Sequence, residues 1–184
     1  MALLNHKVSL RRSGLMPSGK IKVGIALYSH RDLDGEERSP HWALVLHPQS
    51  YAANNTLMYQ ILCPKSRWVL HHKIERLNNA ADLHGQSLVG VLHVADVRGS
   101  VEVLDLFLSE FPPTISDDNP SGRFAWSSAA WVIRCLAHLE SVGLLRLPCG
   151  PEGLYNYAMS RFKLMKRRSM DEEGWVELPL VGPY

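Results

Sequence analysis

Two short strings carry residue types that could do chemistry together. His41-Trp42-Ala43-Leu44 puts an imidazole on a stretch with strand alternation, and Ser128-Ala129-Ala130-Trp131-Val132 puts a hydroxyl where an apolar helix begins. An imidazole titrates near neutral pH and can take a proton from a hydroxyl as that hydroxyl attacks an acyl carbon. The start of a helix favours the negative charge that then develops, through its dipole and its first main-chain N–H groups. The chemistry in prospect is acyl or amide transfer.

Helical spacing decides which serine could take part. Ser128, Val132, Cys135 and Leu139 recur at steps of four and three, so they share one face, and that face is apolar. Ser127 aligns instead with Trp131, Arg134 and His138, a more polar stripe. Ser128 is therefore expected to look inward. Serine is also a favoured N-cap residue, so either Ser127 or Ser128 could serve as a cap and nothing more.

On a strand, His41, Ala43, Val45 and His47 point to one face, and Trp42, Leu44 and Leu46 to the other. Small Ala43 beside His41 leaves room for a helix or a substrate. His47 cannot assist His41, because six residues of strand separate them by roughly 20 Å. Pro40 and the loop before it put His41 at the start of the strand, where a pocket could open, although a strand histidine can equally be structural. His71 and His72 project to opposite faces, and His93 sits within an apolar run. No HExxH or comparable spacing gathers a metal, so neither a metal nor another cofactor is expected.

The elements that must position these groups follow from periodicity and punctuation. Ile21 to Tyr28 is a strand, followed by a charged loop, Ser29 to Pro40, with a turn at Asp34-Gly35. His41 to Leu46 is a second strand, stopped by Pro48. Leu57 to Leu62, Arg67 to Ile74 and the long run Leu88 to Val97 are three more, the last suited to a central position. Helices follow: Val101 to Phe111, ended by Pro112-Pro113; about Ser127 to Val142, ended by Gly143; and about Glu152 to Lys166. Strands first and helices later, without alternation, predict an α+β fold with a largely antiparallel sheet.

Composition bounds the rest. The chain has 184 residues, 46% hydrophobic and 21% charged, enough for one domain with a real core. Residues 1–20 show no sustained period and are expected to form a flexible arm, with the domain over 21–184. A net charge of +2 is too mild for a nucleic-acid partner. The basic run Arg161, Lys163, Lys166, Arg167 and Arg168 suits the end of a helix, where cations complement the dipole. Cys63, Cys135 and Cys149 show no CxxC pair, which fits free thiols in a reducing, cytoplasmic setting. No stretch approaches a membrane span, and the basic, serine-containing start is read as an arm rather than a targeting signal.

With these residues in view, the chain resembles the circularly permuted papain-like hydrolases, the group that includes lecithin retinol acyltransferase and NlpC-type enzymes. His41-Trp42-Ala43-Leu44-Val45-Leu46 resembles that group's histidine strand. Ser127-Ser128-Ala129-Ala130-Trp131-Val132 lies over its helix-start motif Asn-Cys-x-x-Phe-Val. The likeness extends to a small fungal family with a His-Trp-Ala-Leu strand, a tryptophan strand like Arg67-Trp68 and a run like Leu88-Val89-Gly90-Val91-Leu92. It covers roughly Ile21 to Met159, and two short motifs are specific.

The resemblance implies a permuted papain-like fold, an antiparallel sheet packed by a central helix that bears the nucleophile position. It implies His41 as base, Ser128 as nucleophile and Gln60, in Tyr59-Gln60-Ile61, as the residue that orients the imidazole. The chain departs from the pattern twice. Gln60 can still accept a hydrogen bond from the ring. Serine for cysteine is the larger change, since a thiol ionises near neutrality and a serine hydroxyl does not. Ser128 is then a native nucleophile, an engineered replacement, or a remnant in a protein that kept the pocket and lost the chemistry. The expected function is hydrolysis or transfer of an acyl or amide group on a small molecule or peptide, with Trp42, Trp126 and Trp131 lining the substrate. The alternatives are a non-catalytic binding module and a fungal biosynthetic enzyme in which His41 does acid–base chemistry without a covalent intermediate. Oligomeric state is not legible.

Overall fold

The computed structural model describes residues 19–30, 36, 39–77, 86–115, 125–171 and 174–180. Most of the expected arm and the turn at Asp34-Gly35 lie outside the described residues.

Six strands form one sheet: β1 (Lys20–Ser29), β2 (His41–His47), β3 (Thr56–Leu62), β4 (Val69–Glu75), β5 (Ser87–Arg98) and β6 (Val176–Pro179), in the order β4-β3-β2-β1-β5-β6. Three helices, α1 (Val101–Glu110), α2 (Ser128–Ser141) and α3 (Pro151–Asp171), lie between β5 and β6 in the chain. The class is α+β, as strands before helices imply. The sheet is mixed rather than antiparallel throughout, because β5 and β6 run parallel. A strand that returns only after three helices has no hairpin to reverse it.

Alternation along the strands divides the interior in two. Ile21, Val23, Ile25 and Leu27 of β1, Trp42, Leu44 and Leu46 of β2, and Tyr59 and Ile61 of β3 join the larger core. Leu104 and Leu108 of α1, most of α2, and Leu154, Ala158, Phe162 and Met165 of α3 complete it. On the opposite face Ala26, Ala43, Val45, Met58, Leu88 and Val91 form a smaller cluster with Tyr51 and Leu77. Helices cover the first face; the residues that close the second come from connections such as the one between β2 and β3.

α2 is buried from Ser128 through Leu136 and again at Leu139, so it occupies the middle of the helical layer. A helix with so little polar face is stable only when surrounded. Its start is capped by Ser127, whose side chain accepts from the Ala130 N–H at 3.3 Å. Its end is a Schellman turn at Gly143, with φ 74°, where the Gly143 N–H donates to Glu140 O at 2.8 Å and the Leu144 N–H to Leu139 O at 3.0 Å.

Two departures from expectation have local causes. β6 has only four residues and ends in proline, so it carries no strand signal of its own. It forms because Gly90 opens β5 to it: a Cβ there would stand 2.3 Å from Val176 O. α3 continues past Lys166 to Asp171, so Lys163 and Lys166 lie in interior turns, and Arg161 is buried. The long run of β5 lies inside the sheet, paired with β1 on one side and β6 on the other, and β1 and β2 are at the centre. Among the described residues no helix is long and apolar enough to cross a membrane.

Candidate functional site

The site lies where β2 parts from β3. β2 pairs with β1 along its whole length, from Tyr28 opposite His41 to Lys22 opposite His47. Its register with β3 runs only over Leu44–Tyr59, Val45–Met58 and Leu46–Leu57. Toward His41 the two strands therefore open, while β3 keeps its ladder to β4 through Leu62 opposite Val69.

Two hydrogen bonds span this opening. The Trp42 main-chain N–H donates to Ser128 Oγ at 3.1 Å, tying α2 to the start of β2. Gln60 Oε1, on β3, lies 2.7 Å from His41 Nε2. An amide oxygen can only accept, so with the amide in this orientation Nε2 is the donor of the pair. His41 and Gln60 share the sheet face of Ala43 and Met58, whereas α2 packs over β2 and β3 from the other face. The Ser128 hydroxyl reaches the edge of β2 at the residue next to His41.

Burial differs across the site. Ser128 and Gln60 are each 7% exposed, and His41 is half-buried, so the ring is the group that meets solvent. Tyr28, opposite His41 on β1, inclines its ring against the imidazole with centroids 6.2 Å apart and donates its hydroxyl to Met58 Sδ at 3.0 Å. The two serines have separate tasks: Ser127 caps the helix, and Ser128 turns inward as its spacing requires. The first N–H groups of an α-helix have no intrahelical carbonyl. Ala130 gives its N–H to Ser127 Oγ, and the main-chain N–H groups of Ser128 and Ala129 belong to the same first turn.

The three tryptophans differ in burial. Trp42 is 1% exposed and stacks on Tyr155 of α3, with centroids 5.8 Å apart and planes 11° apart. Trp131 is fully buried, and its indole N–H donates to Pro112 O at 3.0 Å. Both belong to the larger core, because even positions on β2 and the buried α2 face it. Trp126 is half-buried and donates to Pro113 O at 3.0 Å, so it is the one of the three with a solvent-facing part. Among the described residues no group of three or more His, Cys, Asp or Glu side chains is placed to hold a metal.

No protein-family model, curated protein or solved structure matches the chain.

One residue of the site escaped the sequence. Gln60 Nε2 lies 3.1 Å from Nδ1 of His71 on β4, directly opposite it in the β3–β4 ladder. Alternation alone sends His71 and His72 to opposite faces. Only the register decides that His71 is the one beside Gln60.

Proposed function

We propose that the protein is an acyl- or amide-transfer enzyme of the permuted papain-like kind, acting on a small molecule or peptide. The supporting observation is the 2.7 Å bond between His41 and Gln60, made across the same opening in which Ser128 Oγ sits on the next residue's N–H. In this reading Gln60 keeps the His41 proton on Nε2, and Nδ1 takes the proton from Ser128 as Oγ bonds to the acyl carbon. The carbonyl electrons move to oxygen, and the resulting anion is met by N–H groups in the first turn of α2. Collapse breaks the bond to the leaving amine, alcohol or thiol, which takes the proton back from His41. Water or a second acceptor then releases the acyl group from Ser128 by the reverse sequence.

An acyl-directed covalent probe tests this. Labelling of the wild-type protein that is lost in both Ser128→Ala and His41→Ala is the expected result. No labelling of either the wild type or Ser128→Cys would sink it.

A second reading is favoured by one observation: Ser128 is buried, and its hydroxyl already serves as acceptor for the Trp42 N–H. A serine that ties a helix to a parted strand suits a binding module that has dispensed with the nucleophile. Labelling gained only in Ser128→Cys would select it. Retained turnover of a substrate by Ser128→Ala, lost in His41→Ala, would instead select acid–base chemistry by His41 without a covalent intermediate.

A further inference from the structure

We propose that His71 is a positioning residue that fixes the tautomer of His41 through Gln60, an inference that rests on the reading of His41 as the base. Gln60 and His71 stand opposite each other in the β3–β4 ladder, and the Gln60 side chain reaches across to His41 at the start of β2, all on the sheet face opposite the helices. Gln60 Oε1 is 2.7 Å from His41 Nε2, and Gln60 Nε2 is 3.1 Å from His71 Nδ1.

The logic is that of the amide. A carboxylate presents an acceptor whichever way it turns, so it can impose Nε2–H on a neighbouring imidazole unaided. A glutamine presents oxygen on one side and NH2 on the other, and the two ends have nearly the same shape. What makes its oxygen face His41 must be a group that demands the nitrogen. Nδ1 of His71, bearing a lone pair, is such a group: it accepts from the amide N–H and so turns the oxygen toward His41. With the proton on His71 Nδ1 the amide would turn over and present NH2 to His41 Nε2. The His41 proton would then move to Nδ1, where a base is needed. Substituting glutamine for a fixed acceptor thus calls for a second histidine behind it.

Long-range proton–nitrogen NMR on the whole chain, with the histidine rings neutral, reads the tautomer of His41 without reference to turnover. The wild type is expected to show His41 as a single Nε2–H form. His71→Phe keeps a ring and removes the acceptor, and should convert His41 to an exchanging mixture. His71→Asn, whose Oδ1 can stand where Nδ1 stood, should restore the single form. Gln60→Glu combined with His71→Phe should also show it, because both carboxylate oxygens accept. His71 is exposed at the edge of the sheet, so these changes spare the core.

An unchanged single Nε2–H form in His71→Phe would overturn the proposal. So would no recovery in His71→Asn, or a wild-type His41 protonated on Nδ1; the last needs no variant to fold. Probe labelling separates this from the function itself. A His71-dependent tautomer in a protein that never labels refutes the acyl chemistry and leaves the positioning role standing. Labelling at Ser128 with a His71-independent tautomer does the reverse.

Discussion

The two ends of β2 each carry a histidine, and they are built on opposite plans. At one end His47 is 6% exposed: its Nδ1 accepts from the main-chain N–H groups of Gln49 at 2.9 Å and Ser50 at 2.8 Å, and its Nε2 lies 2.9 Å from Asn55 Oδ1. All three partners belong to the connection that follows. At the other end His41 is half-buried and is held through Gln60 on the next strand, beside a hydroxyl from α2. A ring saturated by its own turn can only brace that turn. The ring of His41 is held instead by an amide from the neighbouring strand, at a break in the ladder.

The closed end also recruits a third histidine. Tyr51, in the same connection, lies with its hydroxyl 3.0 Å from His93 Nδ1 on β5, and its phenol passes so close to Gly24 that a Cβ there would stand 2.7 Å from Tyr51 Oη. His93 Nε2 in turn faces Asp96 Oδ1 at 3.4 Å. This end of the sheet is thus fastened across four strands, while the His41 end is left parted.

The contrast is tested most severely by activity. His41→Ala should lower the rate of probe acylation by at least ~10²-fold, the scale of a lost general base, whereas His47→Ala, compared at equal folded fraction, should leave it within a few-fold. Equal losses would erase the distinction between the two ends.

Stability should show the opposite order. His47→Ala leaves two main-chain N–H groups and the Asn55 carbonyl without their partner and should cost about 2–3 kcal/mol in urea unfolding. His41→Ala should cost less than about 1 kcal/mol, since its ring is half-exposed. A more costly His41→Ala would recast His41 as structural.

Ser128→Ala removes the acceptor of a buried N–H and should destabilise by about 1–2 kcal/mol, with Ser128→Cys milder because sulfur can still accept. If Ser128→Ala is neutral, the tie between α2 and β2 carries no weight in the fold.

The smallest effect concerns His93. Burial holds its imidazole below the usual 6.5, with Asp96 pulling it back up. The folded state then binds this proton less readily than the unfolded chain does. The stability this contributes is present above about 6.5, the unfolded value, and is lost as pH falls below it through the lower folded value. Unfolding at about pH 7.5 and about pH 5.5 should show a larger acid loss in the wild type than in His93→Gln. Identical losses would remove His93 from the account of the closed end.

Much of this was legible beforehand because it is local. The alternation of His41 to Leu46 gave β2 and its two faces, and the four-and-three spacing of Ser128, Val132, Cys135 and Leu139 gave α2 and its inward serine. The Gly143 stop and the Pro112-Pro113 end of α1 are consequences of φ and of a missing N–H. Three features were not legible. Trp42 and Trp131 have the composition of pocket walls, and only the packing of α3 and of the Pro112 carbonyl makes them core. β6 is too short and too proline-bounded to announce itself, and needs Gly90 of another strand.

His71 illustrates the third limit: that it meets Gln60 is a fact about the register between β3 and β4. By itself the sequence determined the elements, their buried faces and which serine turns inward, because helix and strand periods act within a few residues of chain. Tertiary structure alone decided that β2 and β3 part near His41, that Ser128 meets Trp42 there, and that a glutamine stands between two imidazoles. Those are contacts between residues far apart in the chain, and their existence depends on how whole elements pack.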